Sequence, residues 1–199
     1  FCIEPEHRIL TVGSCFADHL GHKFRDEAFV VDVNPYGVMY NPVSILHTVE
    51  RYGEAVDVAI ITLGTNHVYR EKATGEIVDN CQKRPQTLFQ EEQLTIGQCR
   101  DSLLKAIDVL RSSNPLTKII LTVSPIRYAK YGYHASQLSK ATLLLAVDSL
   151  LRDSDLGKAG GVYYFPAFEI INDELRDYRF YAPDMLHPSQ QAVDYIWER

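Results

Sequence analysis

The sequence predicts a three-layer α/β/α sandwich on a mainly parallel, flavodoxin-like sheet of five strands, and three observations carry that reading. Short β-branched runs alternate with stretches whose apolar residues recur at helical spacing, as in a sheet joined by crossover helices. The run Val56 to Leu63 is apolar almost without a break, as a central strand covered on both faces must be. The chain has 199 residues, 46% of them hydrophobic. That is enough for one buried core and short for two, so residues 1–199 read as a single domain.

Each element has its own warrant. Arg8 to Val12 is short, β-branched and ends at Gly13, as a buried strand would. Phe16, Leu20 and Phe24 then recur four apart, which fits a helix with one inward stripe. Phe29 to Val33 reads as the second strand, and Asn34-Pro35-Tyr36-Gly37 as a turn. A helix opens at Pro42, a favourable first helical residue, with Ile45, Leu46 and Val49 inward. After the third strand, His67 to Asn80 reads as a hairpin, because Val68-Tyr69 and Ile77-Val78 flank Lys72-Ala73-Thr74-Gly75. A helix from Thr95 to Ser112 carries Leu103, Leu104, Ile107 and Leu110. Lys118 to Val123 is the fourth strand, Ser136 to Leu151 a helix and Gly161 to Phe165 the fifth strand. The last helix runs from Pro188 or Ser189 into Trp197.

Composition removes several classes of function. A net charge of -6 argues against nucleic acid as a partner, since phosphate backbones call for a basic face. No apolar run approaches the roughly 20 residues that span a bilayer. The four cysteines, Cys2, Cys15, Cys81 and Cys99, show no CxxC spacing, which points to a reducing, cytoplasmic setting. The first residue is Phe1 rather than Met, which leaves room for an upstream signal.

In parallel sheets ligands bind beyond the carboxyl ends of the strands. Strand one ends there in Gly13-Ser14-Cys15, at a helix start, where free N–H groups and the helix dipole favour a developing anion. The same Gly-Ser pair is also an ordinary helix cap. Strand two ends in the turn that holds Gly37, and strand three in Gly64-Thr65-Asn66, whose amide could donate to an oxyanion or merely cap a turn. Before the last helix stands Pro183-Asp184-Met185-Leu186-His187-Pro188. There a carboxylate three positions ahead of a histidine can orient and polarise it. The four segments come in an order that lines one edge of the predicted sheet.

Gly13-Ser14-Cys15-Phe16-Ala17 resembles the signature after which the GSCFA family is named. The resemblance extends through Asn34-Pro35-Tyr36-Gly37, Leu63-Gly64-Thr65, Asn80-Cys81, Leu121 to Pro125, Arg176 to Tyr181 and His187-Pro188-Ser189. That family is similar to the SGNH-hydrolase superfamily, with its blocks Gly-Asp-Ser, Gly, Gly-x-Asn and Asp-x-x-His. The resemblance implies the fold and a hydrolase class without a substrate. It departs at one point: laying Gly13-Ser14-Cys15 over Gly-Asp-Ser puts Cys15 at the nucleophile position. A shift by one residue restores Ser14 but displaces the glycine, so both stay candidates, with register favouring Cys15. A thiol near a helix N-terminus and a histidine is a competent acyl acceptor.

The function expected is an esterase-like hydrolase, or an O-acyltransferase, acting on a small-molecule or glycan acyl ester. Cys15 or Ser14 attacks, His187 moves the proton, Asp184 holds the imidazole, and the backbone N–H groups of Cys15 and Gly37 with the Asn66 amide bind the oxyanion, beside Gly64. No metal or redox cofactor is required. The rival is an inactive module of the same fold that binds a glycan or a protein. Other clusters read more plainly. Asp18, His19 and His22 look like a solvated helix face rather than a metal site, and Lys83-Arg84-Pro85 like ordinary surface. Arg127, Tyr128 and the Arg176 to Tyr181 segment are placed to shape a pocket wall or to pack.

Overall fold

Alternation along the strands decides which helices cover which face of the sheet. The computed structural model describes residues 1–79, 81, 84–153, 156–157 and 160–199. Five strands form the main sheet: β1 (Arg8–Gly13), β2 (Val30–Val33), β3 (Val58–Leu63), β7 (Lys118–Val123) and β8 (Val162–Tyr164). Their order is β2-β1-β3-β7-β8, and every pairing is parallel. This is the doubly wound arrangement the sequence predicts.

Leu10 and Val12 of β1, with Ala59, Ile61 and Leu63 of β3, point to one face. There they meet Ile45 and Val49 of α2 (Pro42–Tyr52), Leu103 and Ile107 of α3 (Ile96–Ser113), and Leu143 and Val147 of α4 (Gly132–Leu151). The intervening Ile9, Val58 and Ile60 point the other way, onto Phe16, Leu20 and Phe24 of α1 (Cys15–Asp26) and Ala192 and Ile196 of α6 (Gln190–Glu198). Full burial of such aliphatic side chains contributes roughly 1.5–3 kcal/mol each. The two cores, one on each side of β3, hold the strand ends in register.

Helix starts follow the local chemistry. Asn41 caps α2 ahead of Pro42, and Thr95 and Gln98 form a reciprocal capping box at α3. Ser189 caps α6, the later of the two predicted starts.

The hairpin after β3 is present as β4 (His67–Glu71) and β5 (Ile77–Val78), paired antiparallel with Tyr69 opposite Val78. Asn80, its expected end, lies outside the described residues. A further strand, β6 (Phe89–Gln93), completes a small antiparallel sheet of order β5-β4-β6. The sequence hides it, because only Phe89 of its five residues is buried and the rest are Gln and Glu. An ion pair from Arg70 to Glu92 and a hydrogen bond of 2.8 Å between His67 Nδ1 and Glu91 Oε1 hold this polar strand to β4. Also unforeseen is a helical turn α5 (Ala167–Glu169) that widens into a π-helix over Ile170–Leu175. No helix among the described residues is long and apolar enough to cross a membrane.

Candidate active site

Gly13 ends β1 at φ +136°, and a side chain there would stand 2.1 Å from the Thr62 carbonyl oxygen of β3. Only glycine allows β1 to run this close to β3 and still turn into α1. The turn is tied on three sides. Gly13 N–H donates to Asn34 Oδ1 at 2.9 Å, Ser14 N–H to Thr62 O at 3.0 Å, and Met39 N–H to Gly13 O at 2.8 Å. Asn34, at φ +39°, also donates through Nδ2 to Asp18 Oδ1 at 2.6 Å, so it joins the β1 turn to the side of α1.

Ser14 and Cys15 part company here. Ser14 is fully buried; its Oγ caps α1 by accepting from Phe16 N–H at 3.2 Å and lies 3.1 Å from Thr62 Oγ1. Cys15 is the first residue of α1, partly exposed, with Sγ 3.5 Å from Tyr40 Oη. Its N–H stands at the first helical position, outside the intrahelical ladder.

The Asp184–His187 segment is a tight turn built around the carboxylate. Asp184 Oδ1 accepts from the N–H groups of Leu186 and His187, at 2.9 and 3.0 Å, while Oδ2 lies 2.5 Å from His187 Nδ1. The His187 side chain, followed by these two N–H groups, pulls the Asp184 carboxyl down to about 2, so it is ionised. An ionised acceptor fixes the proton on Nδ1 and leaves Nε2 free. Met185 occupies the left-handed region at φ +60°. Arg127 N–H donates to Leu186 O at 2.9 Å, and Ala182 N–H to His187 O at 2.8 Å, so the turn is anchored to the segment after β7. Burial, above all, lowers the pKa of His19, one turn along α1 from Cys15.

The predicted oxyanion donors are engaged elsewhere. Gly37 N–H donates to Asn34 O at 2.8 Å, inside its own turn. Asn66 is buried and its Nδ2 donates to Leu94 O at 2.8 Å, at the start of the α3 segment. Gly64 N–H donates to Tyr40 O at 2.9 Å, as does Thr65 N–H at 2.8 Å. What makes Gly64 special is steric: a side chain there would stand 2.4 Å from Tyr128 Oη.

Sequence reasoning passed over Tyr40 and Lys140. Lys140 is 2% exposed and donates to Gly64 O and Ser124 O, both at 2.7 Å, which ties the ends of β3 and β7 together. Burial pushes its amine down to about 7, while the two carbonyl acceptors favour the ammonium form. Its signal was available in the sequence, since Lys140 sits three and seven residues before Leu143 and Val147 on the apolar stripe of α4.

A cavity of about 850 Å³ opens beside the Asp184 turn, with Arg127, Tyr133, Lys140, Arg176, Tyr178 and Tyr181 in its wall. Arg127 stacks over the rings of Tyr133 and Tyr181. A smaller cavity of about 260 Å³ is walled by Tyr40, Thr65, His67 and Tyr131, and Tyr128 lines both cavities. The remaining clusters settle into packing. Asp18 is taken up by Asn34 and His19 is half-buried, so only His22 lies on the solvated face expected for all three. Arg84 pairs with Glu71 and stacks on Phe89, and Lys83 lies outside the described residues. Among the described residues no three His, Cys, Asp or Glu side chains gather as a metal site would require.

A parallel β2-β1-β3-β7-β8 sheet between two helical layers is the fold of GDSL-type α/β proteins, and solved structures agree. A Streptococcus pneumonia protein provisionally described as a platelet activating factor superposes with a TM-score of 0.61 at 19% identity, over 97% of this chain and 83% of its own. A GDSL-like lipase from Bacteroides thetaiotaomicron gives 0.53 at 15% identity, over 99% and 86%. A family two carbohydrate esterase from Clostridium thermocellum, an active-site mutant bound to an oligosaccharide, also gives 0.53 at 15%, over 99% and 63%. At these identities the likeness is one of fold. No curated protein matches the sequence. The chain belongs to the GSCFA family, whose model matches residues 8–56 and 46–199.

Proposed function

We propose that this protein is an esterase-like acyl hydrolase whose nucleophile is Cys15, with residues 1–199 acting as one domain. The observation that carries the reading is the oriented imidazole: His187 Nδ1 lies 2.5 Å from an Asp184 carboxylate that two backbone N–H groups hold in place. A histidine fixed in this way, with Nε2 free, serves as general base and then general acid. Cys15 is favoured over Ser14 because the Ser14 hydroxyl is buried and employed as a helix cap.

In this reading His187 accepts the thiol proton as sulfur attacks the ester carbonyl, and returns it to the leaving alcohol. Water then releases the acyl group, or a sugar hydroxyl does so in an O-acyltransferase. The large cavity would hold the alcohol part. Its exposed Tyr133 and Tyr178 rings suit the face of a glycan, in keeping with the carbohydrate esterases that share the fold. The setting proposed is a reducing compartment, where the free thiol of Cys15 persists.

A second reading draws support from Gly37, whose N–H is occupied, and from Asn66, one of whose two amide hydrogens is. On that reading the chain keeps the fold as a binding module for a glycan or a protein partner. Hydrolysis of 4-nitrophenyl acetate separates the two. The enzyme reading expects turnover that is lost in Cys15→Ala and His187→Ala and kept in Ser14→Ala. Equal background rates in all four proteins would leave the binding module standing.

A further inference from the structure

If Cys15 attacks a carbonyl, the oxygen that becomes negative needs donors, and of the expected ones the Gly37 N–H is spent on Asn34 O, the Gly64 N–H on Tyr40 O and one of the two Asn66 amide hydrogens on Leu94 O. What faces the sulfur instead is phenolic. Tyr40 Oη lies 3.5 Å from Cys15 Sγ. The Tyr128 ring meets the Tyr40 ring edge to face, with centroids 5.9 Å apart. Tyr128 Oη is buried and has no hydrogen-bond partner among the described residues. A buried hydroxyl left unpaired costs stability, so its persistence beside a candidate nucleophile asks for a reason.

We infer that the hydroxyls of Tyr40 and Tyr128 are oxyanion donors of this site, joining the Cys15 N–H at the start of α1 and replacing the Gly37 N–H. The inference rests on Cys15 being the nucleophile. Its geometry is built in from several sides. Tyr40 O accepts the N–H groups of Gly64 and Thr65, which fixes the Tyr40 backbone at the end of β3. The missing side chain at Gly64 makes room for Tyr128 Oη. The Tyr128 ring is held between Lys140 Nζ, 5.2 Å from its centroid, and the ring of Tyr131 at 6.0 Å. Burial above all, then the neighbouring Tyr40 and Cys15, keep the Tyr128 phenol well above its ordinary pKa; burial and the Cys15 contact do the same for Tyr40. Both hydroxyls are therefore protonated donors at neutral pH.

The chemistry balances without any further reagent. The Cys15 proton passes to His187 Nε2 as the S–C bond forms, and the carbonyl π pair moves onto oxygen. Negative charge leaves sulfur for that oxygen, and the Tyr40 hydroxyl, already in contact with sulfur, follows it over a short distance. Tyr128 Oη gains in the same step the partner it lacks in the resting site. On collapse the C–O bond to the alcohol breaks, the alkoxide takes the proton from His187, and a thioester remains on Cys15. Donors that are made to meet charge only in the transition state lower the barrier without tightening substrate binding.

The test is the pre-steady-state acylation of wild type, Tyr40→Phe and Tyr128→Phe by 4-nitrophenyl acetate, with the urea midpoint of each protein measured alongside. Each variant should acylate about 10²-fold more slowly, with the substrate dissociation constant, read from the concentration dependence of the burst rate, nearly unchanged. Tyr128→Phe should also unfold at an equal or higher urea concentration, because it deletes an unpaired buried hydroxyl. A merely structural tyrosine would not show that combination. Wild-type acylation rates in both variants, from an enzyme that does turn over, overturn the inference and leave the esterase reading intact. A wild-type protein inert toward the ester overturns the esterase reading and this inference with it.

Discussion

Replacing Gly13 by alanine tests the account where β1, β3 and the candidate nucleophile meet. At φ +136° an L-residue lies in a region that costs about 1–3 kcal/mol to occupy. The new Cβ would also stand 2.1 Å from Thr62 O, a backbone atom that cannot rotate aside. Relief requires the end of β1 to part from β3. That loosens Ser14 N–H to Thr62 O and Gly13 N–H to Asn34 Oδ1, each worth about 0.5–1.5 kcal/mol net. Alanine gives back about 0.4–1 kcal/mol by stiffening the unfolded chain. The sum is a loss of about 2–5 kcal/mol. Gly37→Ala is the control, since Gly37 also has a positive φ, +92°, yet nothing lies within 4 Å of its added Cβ. It should bear the same backbone strain, about 1–3 kcal/mol, less the same offset from the stiffer unfolded chain, and no steric cost. Urea unfolding at pH 7, followed by circular dichroism, compares the two. A Gly13→Ala midpoint equal to that of Gly37→Ala, with equal m-values, would refute the steric argument.

Three further outcomes follow from the site. Ser14→Ala should cost about 1 kcal/mol through the lost cap of α1 while ester turnover persists, measured well below the unfolding transition. Asn66→Ala should lower stability by about 1–3 kcal/mol, because Leu94 O loses its buried donor. Its kcat should stay within a few-fold of wild type, and a large fall in kcat alone would return Asn66 to the oxyanion. Asp184 is held near 2 by the His187 side chain and two backbone N–H groups, below its ordinary 3.8. A carboxylate whose folded pKa is depressed stabilises above the unfolded value and loses that contribution as pH falls toward the folded one. Between pH 4 and 2, then, the urea midpoint should fall less steeply in Asp184→Asn than in wild type.

The legible parts of the molecule are those where burial writes a period into the sequence. β3 and β7 are apolar on both faces, and α1 repeats Phe16, Leu20 and Phe24 on one side, so the layers could be read. β6 carries no such period, being held by hydrogen bonds and ion pairs to β4 rather than by a core face. The π-helix escaped because it is only six residues long, too short for a hydrophobic period to show. At the site, Asp184 and His187 are three residues apart, and local spacing revealed their contact. Cys15 and Tyr40 are 25 residues apart and meet only through the β1 and β3 turns, so nothing local marks Tyr40. Where donors are spent is likewise a tertiary fact. Asn66 has the right place in the order of motifs, yet its amide is taken by Leu94 O.

The central claim is that sulfur, not a hydroxyl, takes the acyl group. Acid-quenching the protein during turnover of an activated acetyl ester, followed by peptide mapping, measures this directly, because the tryptic peptide Ile9 to Lys23 holds both Ser14 and Cys15 and fragmentation separates them. The expected product is an acetyl thioester on Cys15, released by neutral hydroxylamine and missing from His187→Ala. An acetyl group on Ser14, or ester turnover with neither residue modified, would contradict it.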